Sequence, residues 1–199
     1  MAYIGSKPAN KPVVASDLDP VIITGQTALG ATPADTDEFI VSDAGVLKRM
    51  DYSYIKAANT PAFFASISEN QTVGTASATK LTIDAEEFDS GVYDNSTNYR
   101  FTPAVAGKYF IFANGYINSL TNAKTVVIYI YKNGASIATG RNVAGKTGAV
   151  LTTYTSVIDT ADDDDYYEVF LYHDEGGDLT VPGSSEARSY FGAYKIIGA

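Results

Sequence analysis

The chain has 199 residues, a formal net charge of −9 and no cysteine. The acidic balance excludes binding of nucleic acid through its phosphates, which requires a surplus of Lys and Arg, and the lack of cysteine excludes disulfides, thiolate nucleophiles and zinc–thiolate sites. No apolar run approaches the ~20 residues of a membrane helix, and the N-terminus lacks the basic and apolar regions of a signal peptide, so we expect no membrane insertion.

The first 60 residues are predicted to form an extended N-terminal segment that contains one hairpin. Four of the seven prolines lie here, and breakers of this kind limit the segment to short elements. Residues 38–41 and 46–50 are typical of two strands joined by a turn that ends at Gly45, which predicts a hairpin near residues 38–50. An isolated hairpin is marginally stable in water. We therefore expect an anchor or assembly segment, with a floppy leader as the alternative, and the anchor candidates are Phe39, Val41, Val46, Leu47 and Tyr52.

Residues 61–199 are predicted to be a single all-β head domain. Turn signals such as Lys132-Asn133-Gly134 separate short apolar runs, and no helix-period segment of useful length interrupts them. About ten short strands in one domain predict an antiparallel sandwich or a barrel. The predicted strands are residues 62–68, 79–83, 99–102, 108–117, 125–132, 136–139, 150–158, 166–172, 179–181 and 189–197.

Three of these strands are apolar on both faces. In residues 108–117, Tyr109 and Ile111 point one way while Phe110 and Phe112 point the other, whereas a strand with one wet face alternates apolar with polar residues. Residues 125–131 and 166–172 share this pattern. A monomer would then expose a large apolar patch, so we expect a homo-oligomer, although the pattern leaves open which face is the core. The interface candidates are Tyr109, Phe110, Phe112, Tyr116, Tyr129, Tyr131, Phe170 and Tyr194.

An ordered set of short motifs runs through the predicted head domain. The motifs are Phe88-Asp89-x-Gly91-x-Tyr93-Asp94-x-Ser96-Thr97, Phe101-Thr102-Pro103, Ala106-Gly107-Lys108-Tyr109, Tyr131-Lys132-Asn133-Gly134 and Tyr190-Phe191-Gly192-Ala193-Tyr194. In this order and spacing, residues 62–199 resemble the globular head of the complement C1q family, one of the tumour necrosis factor-like jelly rolls. The resemblance implies a ten-stranded jelly roll that forms a homotrimer, with the strand after Gly107 near the three-fold axis. The chain lacks the cysteines, secretion signal and Gly-X-Y stalk of the animal members, so their immune functions are not carried over.

A second resemblance concerns the N-terminal segment. Residues 33–55 resemble a short module of fibre and structural proteins of marine bacteriophages, and the opening Met-Ala-Tyr-Ile-Gly is similar to the start of phage fibre proteins. The resemblance implies a virion protein that is made in the bacterial cytoplasm and released by lysis. Residues 1–60 would dock on other virion structural proteins, while the head faces outward.

Few residues suggest chemistry. His173-Asp174 is a candidate catalytic pair, but nucleophilic catalysis needs a nucleophile, a base and an orienting group that converge, and a loop histidine is the simpler interpretation. Acidic runs can bind Ca²⁺ through several oxygens, yet neighbouring carboxylates on a strand point apart and suit a solvated turn. We therefore expect no enzymatic activity and no cofactor. The weak Ca²⁺ candidates are Asp162, Asp163, Asp164, Asp165, Asp174 and Asp178.

These observations predict a trimeric structural protein of a phage virion, either a short fibre, spike or knob or a capsid decoration. The alternative is a tail-fibre head that binds a host receptor or glycan through loops near residues 118–123 or 140–148. A third hypothesis is a glycan hydrolase, although nothing in the sequence places two carboxylates across a cleft. No repetitive shaft separates the head from the anchor, which favours a head close to its attachment point.

Overall fold

The computed structural model describes residues 24–55, 59–183 and 188–197. The chain divides into two compact units, residues 1–56 and 57–199. Within the described ranges, no helix combines the length and apolarity that a membrane crossing requires.

The first unit contains a β-hairpin. Strand β1 (Glu38–Asp43) pairs antiparallel with β2 (Val46–Asp51), and a short 3-10 turn, Tyr52–Tyr54, follows. The connecting residues Ala44 and Gly45 have φ angles of 49° and 83°. Two consecutive positive φ angles are those of the two-residue turn that matches the twist of paired strands, which explains the tight reversal.

The second unit is built from thirteen strands within its described residues. They are β3 (Ala62–Ser66), β4 (Gln71–Val73), β5 (Thr79–Lys80), β6 (Ala85–Asp89), β7 (Tyr93–Asp94), β8 (Arg100–Phe101), β9 (Gly107–Leu120), β10 (Thr125–Lys132), β11 (Ala135–Val143), β12 (Ala149–Ala161), β13 (Tyr167–His173), β14 (Leu179–Val181) and β15 (Tyr190–Lys195).

Two sheets form a sandwich. The five-stranded sheet has the order β12-β9-β15-β3-β6, and the six-stranded sheet has the order β11-β10-β13-β8-β7, with β5 also paired to β13. Strands β14 and β4 form a separate pair. All pairs are antiparallel and many join strands far apart in the chain, which is the connectivity of a jelly roll. The predicted all-β jelly-roll sandwich is therefore confirmed.

The structure contains three strands more than the ten predicted for this domain. The additional strands are β4, β6 and β7. Strands β4 and β7 have only three and two residues, which is too short for a period-2 pattern to register. Strand β6 reads Ala-Glu-Glu-Phe-Asp and is mostly exposed, so it lacks the apolar alternation by which a strand is recognised.

The core lies between the two sheets and identifies the inward face of each two-faced strand. On β9, Tyr109, Ile111 and Ile117 are fully buried, and on β10 and β13 the corresponding residues are Ile128 and Leu171. Phe110, Phe112 and Tyr116 are therefore on the outward face of β9. The alternation in sequence predicts both faces correctly but does not say which one is the core, because both are aromatic or aliphatic.

Tyr109 was predicted as an interface residue, and the structure shows that this prediction is wrong. The side chain has no exposed surface, its ring meets Phe101 edge-on at 5.5 Å between centroids, and its hydroxyl donates to the Val105 carbonyl at 2.6 Å. A buried tyrosine needs such an acceptor for its hydroxyl. Tyr109 is therefore a core residue whose hydroxyl group has a hydrogen-bond acceptor.

The two sheets come closest at the corner between β11 and β12. A Cβ added to Gly140 would lie 2.0 Å from the carbonyl oxygen of Tyr154. The Asn142 side-chain amide donates to the Thr152 carbonyl at 3.3 Å across the same corner. Only glycine permits this close approach between two backbones. Gly140 therefore allows β11 and β12 to come together along one side of the sandwich.

Candidate assembly interface

The outward side of the five-stranded sheet is covered by aromatic side chains. Strand register places them on one face, because residues directly opposite each other in neighbouring strands share a side of the sheet. Phe112 lies opposite Gly192 and Ser156, and Phe64 lies opposite Phe88. We call this surface the phenylalanine face, and it consists of Phe64, Phe88, Phe110, Phe112, Tyr116, Tyr154, Ile158, Tyr190 and Tyr194.

The rings of the phenylalanine face form a continuous chain across three strand boundaries. Ring centroids are 6.5 Å apart for Phe88 and Phe64 and 6.2 Å apart for Phe64 and Phe112. The chain continues from Phe112 to Phe110 at 5.6 Å and from Phe110 to Tyr194 at 5.5 Å. These separations are those of favourable aromatic pairs. The rings therefore support one another and hold a defined surface even where they are exposed.

Gly192 lies beneath the aromatic rings in the middle of this face. It lies opposite Phe64 on one side and Phe112 on the other. A Cβ at this position would lie 2.5 Å from Cζ of Phe112, so the Phe112 ring covers the bare glycine backbone. An aromatic ring over a strand glycine compensates for the missing side chain. The sequence Tyr-Phe-Gly-Ala-Tyr thus places a glycine, covered by the Phe112 ring, between two outward-facing tyrosines.

The phenylalanine face is apolar and largely open in the single chain. Phe88 is 56% exposed and Ile158 62% exposed, while Phe110, Phe112 and Tyr190 are partly exposed. From Phe110 to Tyr116, the outward positions of β9 carry no charge. A charge appears at the rim, where the Arg188 guanidinium lies 5.0 Å from the centre of the Tyr116 ring. A contiguous apolar patch with a polar rim is typical of a protein interface.

The six-stranded sheet carries a second aromatic surface on its own outward side. We call it the tyrosine face, and it consists of Val127, Tyr129, Tyr131, Phe170 and Tyr172. The Tyr131 and Phe170 rings are stacked with centroids 4.4 Å apart, and Tyr129 and Tyr131 meet edge-on at 5.9 Å. Burial raises the pKa of the Tyr129 hydroxyl, and its neighbours Tyr131 and Tyr172 raise it further. The Tyr129 hydroxyl therefore lies within electrostatic range of Tyr131 and Tyr172.

Charged side chains surround the tyrosine face. Lys80 Nζ forms an ion pair with Glu168 at 2.9 Å and also donates to the Asn98 carbonyl. The Arg100 guanidinium lies 4.8 Å from the centre of the Tyr166 ring, and Arg141 donates to the Thr125 hydroxyl at 3.2 Å. These contacts hold the rim in place, and they distinguish this surface from the uncharged centre of the phenylalanine face.

The predicted interface candidates divide between the two surfaces. Phe110, Phe112, Tyr116 and Tyr194 lie on the phenylalanine face, whereas Tyr129, Tyr131 and Phe170 lie on the opposite sheet. The remaining members of the phenylalanine face were not predicted. Tyr190 could have been found from its spacing to Tyr194 around Gly192, and Phe64 from the alternation in Ala-Phe-Phe-Ala-Ser. The charged flanks of Phe88 leave no comparable signal.

The anchor candidates lie on or beside the hairpin. Leu47 and Val46 are 77% and 58% exposed, Phe39 is 41% exposed, and Val41 and Tyr52 are partly exposed. The Phe39 and Tyr52 rings are 6.2 Å apart. A groove of about 480 Å³ runs along this hairpin and is lined by Val41, Ser42, Asp43, Lys48, Arg49, Met50, Asp51 and Tyr54. The hairpin thus presents both an apolar surface and a groove to a partner.

Asp165, in the predicted acidic turn, belongs to a hydrogen-bonded network. Asp165 forms an ion pair with Lys132 at 2.8 Å, and the Lys132 ammonium also meets Asp159 at 2.8 Å. The hydrogen bond from Lys132 is the main reason why the pKa of Asp165 lies below its usual value, with the Asp162 N–H and Asn133 adding to it. Tyr167 donates to Asp159 at 2.6 Å. The network ties the β10–β11 turn to the ends of β12 and β13.

The weak Ca²⁺ candidates do not come together. Asp165 is committed to Lys132, and the Asp174 carboxylate accepts the Thr125 N–H at 2.6 Å. Across residues 24–55, 59–183 and 188–197, no group of three or more acidic or histidine side chains converges as a metal site would require. The Asp165 and Asp174 carboxylates instead accept hydrogen bonds from backbone N–H groups.

His173 is enclosed in the structure. It is the last residue of β13, has no exposed surface, and its Nε2 lies 2.9 Å from the Val73 carbonyl oxygen. Its Nδ1 accepts the Glu175 N–H at 3.3 Å, which assigns the proton to Nε2. Both ring nitrogens therefore contact the backbone. The imidazole connects β13 to β4 and has no free nitrogen for acid–base catalysis.

Comparison with known proteins supports the fold and gives no closer identity. No family model matches the chain, and no curated protein matches it in sequence. The structure is similar to that of Eiger TNF from S. frugiperda (TM-score 0.50, 12% identity, covering 69% of this chain and 93% of that one). It is similar to murine APRIL (TM-score 0.50, 10% identity, 68% and 99% covered). The zebrafish complement 1qA globular domain has a TM-score of 0.48 at 14% identity, with 69% and 98% covered.

The similarities to Eiger TNF and murine APRIL define the class of fold. The second unit is a jelly roll of the tumour necrosis factor-like type, as the motifs between Phe88 and Tyr194 predicted. At 12% and 10% identity, the similarity concerns the course of the chain alone.

Proposed function

We propose that this chain is a homotrimeric structural protein of a bacteriophage virion. In this proposal, residues 1–60 dock on other virion proteins, and the jelly-roll head faces outward as a short fibre, spike, knob or capsid decoration. The observation that supports the proposal is the phenylalanine face, which is a connected surface of partly to largely exposed rings without a charge at its centre.

The phenylalanine face favours self-association because a single chain leaves it in contact with water. More than half of the Phe88 and Ile158 side chains is exposed, and burial of such side chains contributes roughly 1.5–3 kcal/mol each. A three-fold arrangement closes on itself and covers the same face in every copy. Strand β9 lies within this surface between β12 and β15, which agrees with the position near a three-fold axis that the family resemblance implies.

Placement on a virion is supported by the N-terminal segment. Residues 33–55 carry the resemblance to phage fibre modules, and the hairpin within them exposes Ile40 and Leu47 to 81% and 77%. A two-stranded hairpin has open edges and too little buried surface to be stable alone. A docking partner on the particle would cover the open strand edges and the exposed apolar side chains, which fits the role of an anchor.

Two measurements test this proposal. Light scattering on the purified chain should give about three times the 21.2 kDa of one chain, and a mass of one chain at micromolar concentration would refute the assembly. A chain that lacks residues 1–60 should retain a folded head but should no longer be incorporated when particles are assembled with it. Incorporation at the full level would refute the anchor, and labelling of intact particles would give the position of the head.

A receptor- or glycan-binding head is the second candidate function. The tyrosine face favours it, because its rings are partly exposed and lie on the opposite sheet, where burial of the phenylalanine face would not cover them. Addition of the free head should then block adsorption of the phage to its host. A head without any effect on adsorption at saturating concentration supports decoration instead.

A further inference from the structure

We propose that the tyrosine face is a carbohydrate-binding platform that accepts neutral sugar rings. The proposal rests on the second candidate function given above and identifies its ligand class and its residues. It assigns the contact to the flat surface of β10 and β13 rather than to the loops near residues 118–123 or 140–148.

The stacked rings supply the apolar part of such a platform. Tyr131 and Phe170 are stacked at 4.4 Å and an interplanar angle of 30°, and both are partly exposed. The face of an aromatic ring carries partial negative charge, so it attracts the weakly positive C–H groups on the flat side of a sugar ring. Because the two rings are stacked on each other, each one offers its outer face to a sugar ring.

The hydroxyl groups supply the polar part. Tyr129, Tyr131 and Tyr172 each combine a ring with a group that can both donate and accept a hydrogen bond. The phenylalanine face is different, since phenylalanines occupy its centre and the tyrosines lie beside them. Sugars display C–H faces and hydroxyl edges together, which matches the mixed chemistry of the tyrosine face. A protein partner that buries apolar surface is better suited to the phenylalanine face.

The overall charge of the chain favours a neutral ligand. Lys80 is paired with Glu168, whereas Arg141 at the same rim donates to the neutral Thr125 hydroxyl. The rim therefore carries both signs of charge, and the whole chain carries a net charge of −9. A strongly acidic polymer would be repelled at long range, whereas a neutral polysaccharide would not.

The experiment is a titration of the full chain with neutral hexasaccharides. The probes are maltohexaose, cellohexaose, mannohexaose and galactohexaose, with heparin as the acidic comparison, and binding is measured by calorimetry. Variants Tyr131→Ala and Phe170→Ala each remove one ring, while Tyr54→Ala removes an exposed tyrosine of the hairpin as a matched control. We expect binding of at least one neutral probe, a loss of about tenfold or more in each ring variant, and no change in the control.

Three results would overturn the inference. The first is a wild-type chain that binds none of the neutral probes, and the second is tighter binding of heparin than of any of them. The third is a change in the light-scattering mass of Tyr131→Ala or Phe170→Ala, which would show that the tyrosine face joins copies of the chain. A wild-type chain that binds sugar but has the mass of one chain contradicts the proposed trimer while leaving the platform intact.

Discussion

The variant Phe112→Asp should disrupt assembly while leaving the single chain folded. The side chain lies at the centre of the phenylalanine face, 5.6 Å from Phe110 and 6.2 Å from Phe64 between ring centroids. In a single chain the new carboxylate remains in contact with water, so the loss is limited to part of the ring packing, about 1 kcal/mol. In the trimer the same carboxylate is buried without a partner.

The magnitude follows from burial of that charge. A buried, unpaired charge costs about 3–5 kcal/mol, and the lost ring adds about 1 kcal/mol. Each interface should therefore weaken by a factor of about one thousand or more. Light scattering across a concentration series should show dissociation to single chains, and circular dichroism of the same samples should show an intact β fold.

The control is Thr139→Asp, which adds the same charge at an exposed position of β11 on the other sheet. This variant should keep the wild-type mass, with a stability change of about 0.5 kcal/mol or less. The reasoning is refuted if Phe112→Asp keeps the wild-type mass and melting temperature at micromolar concentration, because the phenylalanine face would then be exposed in the native protein.

Three further predictions concern the head itself. Gly140→Ala should lower the free energy of unfolding by about 3 kcal/mol in denaturant titrations, because its Cβ would meet the Tyr154 carbonyl at 2.0 Å; a change under 0.5 kcal/mol would contradict the close approach. Lys132→Met should cost about 3 kcal/mol at pH 7, since Asp159 and Asp165 lose their shared cation, and an unchanged melting temperature would argue against the network. The Thr97 N–H, with Asn98 and Ser96, holds the pKa of Asp94 below its usual range, so its stabilisation is complete above the unfolded-state pKa of about 3.9 and decreases as the pH falls below it. Asp94→Asn should therefore be less stable than wild type at pH 7, and the difference should disappear in acid melts; a difference that persists unchanged at pH 2 would contradict this assignment.

The fold was predictable from the sequence because its long strands are rich in β-branched and aromatic residues and are separated by clear turn signals. Strands β9, β10, β12 and β13 account for most of the two sheets, and the turn at Asn133-Gly134 has the positive φ angles, 50° and 82°, that its sequence indicates. The short strands were not predictable, since pairs such as β7 with β8 exist only because tertiary neighbours hold them.

The candidate site was predictable only in part. Alternation identified Phe110 and Phe112 as partners on one face, but it could not assign strands to sheets, because register between distant strands depends on the whole sandwich. For this reason Tyr129 and Tyr131 were grouped with Phe110, although they lie on the other sheet. Tyr109 was misassigned because its hydroxyl has a backbone acceptor, Val105, that no local pattern indicates.

The buried imidazole of His173 can be used to measure local opening of the head domain. It is the only histidine in the chain, so its ring signals in a proton NMR spectrum need no assignment by mutagenesis. Because Nε2–H is bonded to the Val73 carbonyl and has no exposed surface, its proton should exchange with solvent only when β4 separates from the end of β13. The exchange rate of this single proton therefore measures how often that end of the sandwich opens, both in the free head and in the assembled particle.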